Sequence, residues 1–322
     1  MTRTPATLLA TALLSCLAVV ACTKEPAAEA AAPATPVEAA PAQAPAPAAD
    51  ASQASGAHAF QVGTLEAWAL NDGTIDVAND GKTFAVGQAP EQVSALLAAA
   101  GEPTDVLHLS LQPLLVRAGD KVLLFDTGAA DANWAKAGHL PASLRAAGFE
   151  PAQVTDIFIS HGHQDHVGGL LAGGALAFPN ASVHLAAPEW EALQADAGAA
   201  ALVAAIRPKV VAFAPGAELV PGVVTAVAVD GHTPGHSAYE IASGDARLLY
   251  IGDTAHHSVV SLQQPEWTIA YDGDAPLAQA SRRALLQRAA DGKLRLYAVH
   301  FPYPGLGTVE ARDGGFAWVA EH

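Results

Sequence analysis

Apolar and polar positions alternate from Gly63 to Leu70 and stop at Asn71-Asp72-Gly73, which predicts an edge strand running into a hairpin turn. The Ala- and Leu-rich stretch Pro90 to Ala100, closed by Gly101, predicts a helix. Leu107 to Leu111, Leu114 to Arg117 and Lys121 to Phe125 read as consecutive antiparallel strands, with Gly119-Asp120 turning between the last two. The third runs into Asp126-Thr127-Gly128-Ala129, a sharp polar turn after a buried strand. Leu140 to Gly148 reads as a short helix. Ile157-Phe158-Ile159 is a brief apolar run of the kind that builds a core strand, and it leads directly into His161.

Val167 to Leu170 turns into a helix and Val183 to Ala186 returns as a strand. Pro188 to Asp196 and Ala199 to Ile206 are helical in pattern, whereas Val210 to Phe213 and Val223 to Val229 are extended. A second block of strands follows at Tyr239 to Ala242 and Leu248 to Ile251. A long helix near Leu277 to Ala290, a strand at Leu294 to Val299, and a terminal pair around Thr308 to Glu310 and Phe316 to Val319 complete the chain. Two blocks of mostly antiparallel strands, each with helices that must cover one face, predict two packed sheets with helices outside, an αββα sandwich.

The first fifth of the 322 residues has a different character. Residues 1–21 carry Arg3, then the apolar run Leu8 to Val20, and stop at a cysteine preceded by small residues, as a secretory leader does. Val19-Val20-Ala21-Cys22 is similar to a bacterial lipobox, which makes Cys22 the expected lipid anchor. Thr23 rather than Asp follows it, so the expected address is the outer membrane, facing the periplasm. Residues 22–58 are dominated by Ala and Pro, with too few large apolar groups to offset the entropy of ordering, and are expected to form a disordered tether. Residues 59–322 then form one α/β domain.

Acidic residues outnumber basic ones, 32 to 16, for a formal net charge of −16, which disfavours nucleic acid as a partner. Cys16 and Cys22 are the only cysteines, so any metal in the domain must sit on nitrogen and oxygen. The run His161-Gly162-His163-Gln164-Asp165-His166 packs four such donors into six residues after an apolar strand. A turn of that kind does not send all four the same way, so they can serve two adjacent metals. The plainer alternative is a solvated polar turn. There is no Gly-x-Ser-x-Gly elbow and no phosphate-binding glycine loop with its lysine, so a covalent nucleophile has no candidate.

The motifs continue in order: Val167-Gly168-Gly169, Gly231-His232-Thr233-Pro234-Gly235-His236, Ile251-Gly252-Asp253 and Val299-His300-Phe301, each set after an apolar strand. In this the chain resembles the metallo-β-lactamase superfamily from about Gly63 to Val319. The segments Leu70 to Thr74, Phe125 to Ala130, Ala177 to Ala181 and Leu219 to Gly222 are similar to the methyl parathion hydrolase and lactonase-like members. The resemblance implies two divalent cations. Zinc is the first choice, although Mn, Co and Fe accept the same donors. It implies His161, His163 and His236 on one cation, Asp165, His166 and His300 on the other, and Asp253 bridging. Asp126 and His232 would support these ligands. His256 and His257, just past the bridging carboxylate, are candidate substrate contacts. Some lactonases have tyrosine where His256 stands, so the resemblance does not by itself imply their leaving-group chemistry.

The implied reaction is hydrolysis of a small neutral ester, either a lactone such as an acyl-homoserine lactone or an organophosphate triester. Two close cations would lower the pKa of a shared water to give hydroxide, which attacks while Asp165 orients it and carries its proton. A β-lactamase and a thioester hydrolase share the fold, and the thioesterase shares the ligand set. A rival of another class is an envelope metal-binding protein without turnover. His58, His108, His139, His184 and His322 stand alone in the sequence and read as satisfied or exposed side chains.

Overall fold

The computed structural model describes residues 56–321. The leader, Cys22 and most of the tether lie outside them. The first strands are β1 (Ala57–Val62), β2 (Leu65–Leu70) and β3 (Gly73–Ala78), followed by helix α1 (Pro90–Ala99). Strands β4 (Val106–Leu111), β5 (Leu114–Ala118) and β6 (Lys121–Phe125) precede α2 (Leu140–Ala146) and β7 (Asp156–Phe158). After the short helix α3 (Gln164–Val167) come a small hairpin, β8 (Leu171–Ala172) and β9 (Ala175–Leu176), then β10 (Ser182–Ala186), α4 (Ala187–Ala195), α5 (Ala200–Ile206) and β11 (Val210–Phe213). The second half holds β12 (Glu218–Val220), β13 (Val224–Ala228), β14 (Ser237–Ser243), β15 (Ala246–Tyr250), α6 (Val260–Gln263), α7 (Ala275–Gly292), β16 (Arg295–Tyr297), β17 (Leu306–Arg312) and β18 (Gly315–Ala320).

Two seven-stranded sheets result, ordered β1-β2-β5-β6-β7-β10-β11 and β12-β13-β14-β15-β16-β17-β18. Both are mixed: β6, β7, β10 and β11 run parallel in the first, and β15 and β16 in the second. Between the sheets lies an apolar layer that includes Leu123, Phe125, Phe158, Tyr239, Ile241, Tyr250 and Tyr297, all buried. The outer face of the first sheet packs Leu124, Ile157 and Leu185 against Leu144 of α2, Leu193 of α4 and Ile206 of α5. The outer face of the second packs Leu249 and Leu296 against Leu285 and Leu286 of α7. Apolar side chains on both faces of each sheet explain the unbroken apolar runs of the central strands. The expected αββα sandwich is the observed architecture.

Three local expectations need correction. Asn71-Asp72-Gly73 is not a hairpin turn: the Asp72 carboxylate is buried and accepts the N–H groups of Ala129, Gly138 and Leu140, so the chain leaves the sheet there. β4 does not pair with β5 but forms a separate two-stranded ribbon with β3. The break is at Gln112-Pro113, where the Gln112 amide donates to the carbonyls of Ala298 and Phe301 and draws the end of β4 toward the second sheet. β2 is not at the edge, because β1 pairs outside it and starts at Ala57, inside the stretch expected to be tether. No helix among the described residues is long and apolar enough to cross a membrane.

Candidate metal centre

β6 and β7 are parallel neighbours, so the turns after Phe125 and Phe158 leave the first sheet at the same edge. The turns after β13, β15 and β16 leave the second sheet there as well, and a hydrogen bond from the Ser237 N–H to the Ser160 carbonyl ties the two rims together. His161 follows β7, His232 lies between β13 and β14, Asp253 sits in a 3₁₀ turn after β15, and His300 follows β16. Gly252 makes that turn possible: its φ is +49°, and a Cβ there would stand 2.7 Å from His236 Nε2.

His161 Nε2 and His163 Nδ1 are 2.9 Å apart, and His232 Nε2 is 3.2 and 3.1 Å from them. Asp253 Oδ2 closes this group at 3.3 Å from His232 Nε2 and 3.5 Å from His161 Nε2. The other carboxylate oxygen, Oδ1, faces a second group, 3.2 Å from His166 Nε2 and 3.0 Å from His300 Nε2. Asp165 Oδ2 completes it at 3.5 Å from His166 Nε2 and 3.6 Å from His300 Nε2. Asp253 is thus shared between two donor sets.

These donors fit divalent cations. Nδ1 of His166 is held by Asp126, that of His232 by Asp272 and that of His300 by the Ser110 carbonyl, at 2.7, 2.8 and 2.8 Å. Each therefore spends its N–H away from the centre and turns an Nε2 lone pair inward. His166 Nε2 and Asp253 Oδ1 are buried without any hydrogen-bond partner. Lone pairs that converge unsatisfied are costly unless something positive sits among them. Four donors at about 2.0–2.1 Å from a tetrahedral zinc stand about 3.4 Å from one another, close to the spacings found.

Without a cation, protons and burial divide the imidazoles. Burial, reinforced by the neighbouring imidazoles, holds His161 well below the usual histidine range and His163 at about 4. Burial also lowers His232, but Asp253 and Asp272 outweigh it and raise that group to about 9. In the same way Asp253, Asp165 and Asp126 overcome burial and lift His166 well up. Asp165 is pushed up by burial but brought down to about 2 by His166 and His300, so it is ionised.

Several side chains support this set. Asp126, in left-handed conformation at φ +57°, accepts from the Ser160 N–H and hydroxyl, His166 Nδ1 and the Tyr250 hydroxyl. Glu189, buried in the first turn of α4, accepts from the Gly162 N–H at 2.7 Å, the Thr233 hydroxyl at 2.6 Å and the Gly235 N–H at 2.9 Å. It locks the His161 run to the His232 loop. Asp272 and the buried Arg282 stand behind His232. Sequence reading missed all three, because an acid in a helix's first turn and an acid in a Gly-containing loop carry no local signal of a partner 40 residues away.

Two expected roles change. His236 stands behind the donor group rather than in it. Its Nε2 accepts the Asp253 N–H at 2.9 Å and its Nδ1 donates to the Val229 carbonyl at 3.0 Å, so both ring nitrogens are occupied. His232 takes the place in the donor group that was expected for His236. His257 is not among the residues that line the cleft over these groups. Its Nδ1 accepts from the N–H groups of Val259 and Val260, and its Nε2 lies 3.2 Å from Glu102. His256 does reach the open side, with Nε2 3.1 Å from Asp253 Oδ2 and its ring stacked on His300 at 5.7 Å.

A cleft of about 360 Å³ opens over both groups. Its lining combines His163, Asp165, Asp253, His256 and His300 with Ile75, Val77 and Leu109 of the β3–β4 ribbon. Trp134 and Tyr271, each about half exposed, stand among its walls.

Residues 113–300 match the sequence model of the metallo-β-lactamase superfamily. No curated protein matches the chain. Among solved structures, AidC, a dizinc quorum-quenching lactonase in complex with an N-hexanoyl-L-homoserine product, is 30% identical with a TM-score of 0.77, over 83% of this chain and 98% of that one. The hydrolase AbOPH of the β-lactamase superfamily is 29% identical with a TM-score of 0.74, over 83% of this chain and 98% of that one. A probable metal-dependent hydrolase from Staphylococcus aureus, at 19% identity and a TM-score of 0.68 over 81% of this chain and 99% of that one, shares the fold.

Proposed function

Because this chain belongs to the metallo-β-lactamase superfamily, as a metallo-hydrolase, we propose that it hydrolyses small neutral esters at a dinuclear centre, with acyl-substituted lactones as its substrate class. The observation that carries this is the mixed lining of the cleft, in which the donor groups share one cavity with the aliphatic side chains of Ile75, Val77 and Leu109. A polar ester at one end of a molecule and an alkyl chain at the other fit that mixed lining. The likeness to AidC, itself a dizinc lactonase, supports the reading.

His161, His163 and His232 would hold one cation, Asp165, His166 and His300 the other, and Asp253 would serve both. Bound there, two divalent cations, zinc first, supply an acidified water and polarise the ester carbonyl. Asp165, which lines the cleft beside Asp253 and is ionised, would orient that water and take its proton. His256, packed edge-on against Phe84 at 5.9 Å, limits the space beside the ester and excludes bulk water. The aliphatic wall orients the acyl chain. The strongly acidic chain disfavours anionic substrates, which favours neutral lactones and triesters over phosphate monoesters.

The test is turnover by the zinc-reconstituted protein of homoserine lactones of graded acyl length, a phosphotriester, a cephalosporin and a glutathione thioester. Lactones should lead. A preference for the cephalosporin or the thioester would overturn the substrate class, and two bound cations with no turnover of any ester would favour a metal-binding role. Placement at the cell envelope through Cys22 is part of the same proposal, and a Cys22→Ser chain that remained membrane-bound would refute it.

A further inference from the structure

Behind His232 runs a line of buried polar contacts that ends on the turn carrying Asp253. Nδ1 of His232 donates to Asp272 Oδ1 at 2.8 Å, and Asp272 Oδ2 accepts from Arg282 Nη2 at 3.1 Å. Arg282 projects from α7 and is 1% exposed. Its Nε donates to the Thr254 carbonyl at 2.8 Å and its Nη1 to the Pro265 carbonyl at 2.8 Å. Thr254 directly follows Asp253. One guanidinium therefore grips both the acid that aims His232 and the backbone that presents the shared carboxylate.

Burial of an arginine costs several kcal/mol unless every donor is used, and an apolar side chain would fill the same space at lower cost, so packing alone does not account for it. A planar fork with donors in fixed directions is what holding three separate acceptors requires. The contacts are also lopsided. Asp272 touches His232 of the first donor group, whereas His166 rests on Asp126 and His300 on the Ser110 carbonyl.

Building on the dinuclear reading, we infer that Asp272 and Arg282 are positioning residues that set the cation affinity of one half of the centre, the half held by His161, His163 and His232. Asp272 fixes the tautomer and direction of His232 and adds to its basicity as a donor. Arg282 fixes Asp272 in turn and secures the turn at Thr254.

The experiment is equilibrium titration of the metal-free protein with zinc, and with cobalt followed by its visible absorption, for wild type, Asp272→Asn, and the double variant Asp272→Asn with Arg282→Met. The double variant removes the buried cation together with its counter-charge, which guards against simple unfolding, and circular dichroism verifies the fold. Wild type should bind two cations. In Asp272→Asn one of the two dissociation constants should rise about 10- to 100-fold while the other stays put, with loss of one component of the cobalt spectrum; the double variant, which also frees the turn at Thr254, should weaken that same site further than the other. Two unchanged constants, or equal weakening of both in a folded variant, would overturn the inference. A wild-type protein that binds fewer than two cations would instead refute the dinuclear reading beneath it.

Discussion

The backbone N–H of Asp253 donates to Nε2 of His236 at 2.9 Å. That single bond decides which histidine of the Gly231 to His236 loop is available to a cation. His236 has no lone pair left, since its other nitrogen is committed to the Val229 carbonyl, while His232 points its Nε2 at the donor group. His232→Ala should therefore cost one bound metal and at least about two orders of magnitude in kcat/KM, because a missing ligand both empties a site and misplaces the shared carboxylate. His236→Ala should keep two metals yet lower stability by about 1–3 kcal/mol, the cost of a buried N–H left unsatisfied. Metal analysis and denaturant melts on the two variants separate these outcomes, and the reverse pattern would restore the expectation drawn from sequence.

Removal of metal should destabilise the protein as well as silence it. Without a cation, His166 Nε2 and Asp253 Oδ1 are buried with no hydrogen-bond partner. Binding at a free metal concentration about 1,000-fold above Kd contributes about 4 kcal/mol per site to the folded state. Chelation should lower the melting temperature, and zinc should restore it. Protons compete for the same nitrogens: His232 is raised to about 9 and His166 and His300 are raised too, so loading near neutral pH displaces protons. Apparent zinc affinity should climb with pH up to about 9, the value to which His232 is raised, with proton release measurable in weak buffer.

Glu189 offers a test of how the ligand loops are held. It satisfies two backbone N–H groups and a hydroxyl across two loops that lie far apart in sequence. Glu189→Ala should destabilise by about 3 kcal/mol, since each bond to a buried charge is worth about 1.5–3 kcal/mol and some water enters the space. It should also raise the metal Kd. Glu189→Gln, which keeps the acceptor oxygen for Gly162 but presents an amide to Thr233 or Gly235, should fall between.

Much of the donor set was legible in the sequence because each ligand follows an apolar strand, and a strand's end is a local property. His161, His163, Asp165, His166, Asp253 and His300 all stand where such strands stop. The choice between His232 and His236 was not legible, since it depends on Gly235 lying against the Glu189 backbone, where a Cβ would come within 2.4 Å of the Glu189 nitrogen. That approach sinks His236 beneath Asp253. The β3–β4 ribbon was hidden for a related reason: alternation in Val106 to Leu111 states that one face is buried, not which strand lies alongside. Asp72, read as a turn residue, is a buried acceptor for the loop behind the centre because Ala129, Gly138 and Leu140 converge on it from afar.

Asp156, at the opposite end of β7 from His161, predicts the acid limb of stability. Burial alone would raise its pKa, but bonds from His184, Lys121 and the Thr155 hydroxyl outweigh it and hold the carboxyl well below the usual range. Its folded-state pKa is thus below the unfolded value of about 3.9, so its contribution is complete above that value and is lost as pH falls through it toward the folded value. Asp156→Asn should lower the melting temperature at neutral pH and flatten its decline below about pH 5. Parallel curves for wild type and variant would show that the cluster contributes nothing specific to acid unfolding.

The aliphatic wall of the cleft gives the sharpest test of substrate. Ile75 and Val77 line it from β3 and Leu109 from β4, and none of the three carries a metal donor. Val77→Asp should leave both metals bound and leave turnover of a short, chain-free lactone almost unchanged. For a long-chain acyl lactone it should lower kcat/KM about 10- to 100-fold, because loss of about 1.5–3 kcal/mol of apolar contact acts on the transition state as it does on the ground state. The loss should appear mainly in KM, as expected for binding energy that is uniform along the reaction. If short and long acyl lactones lost activity equally, the wall would not be holding the chain. If metal were lost as well, the ribbon would be supporting the centre rather than the substrate.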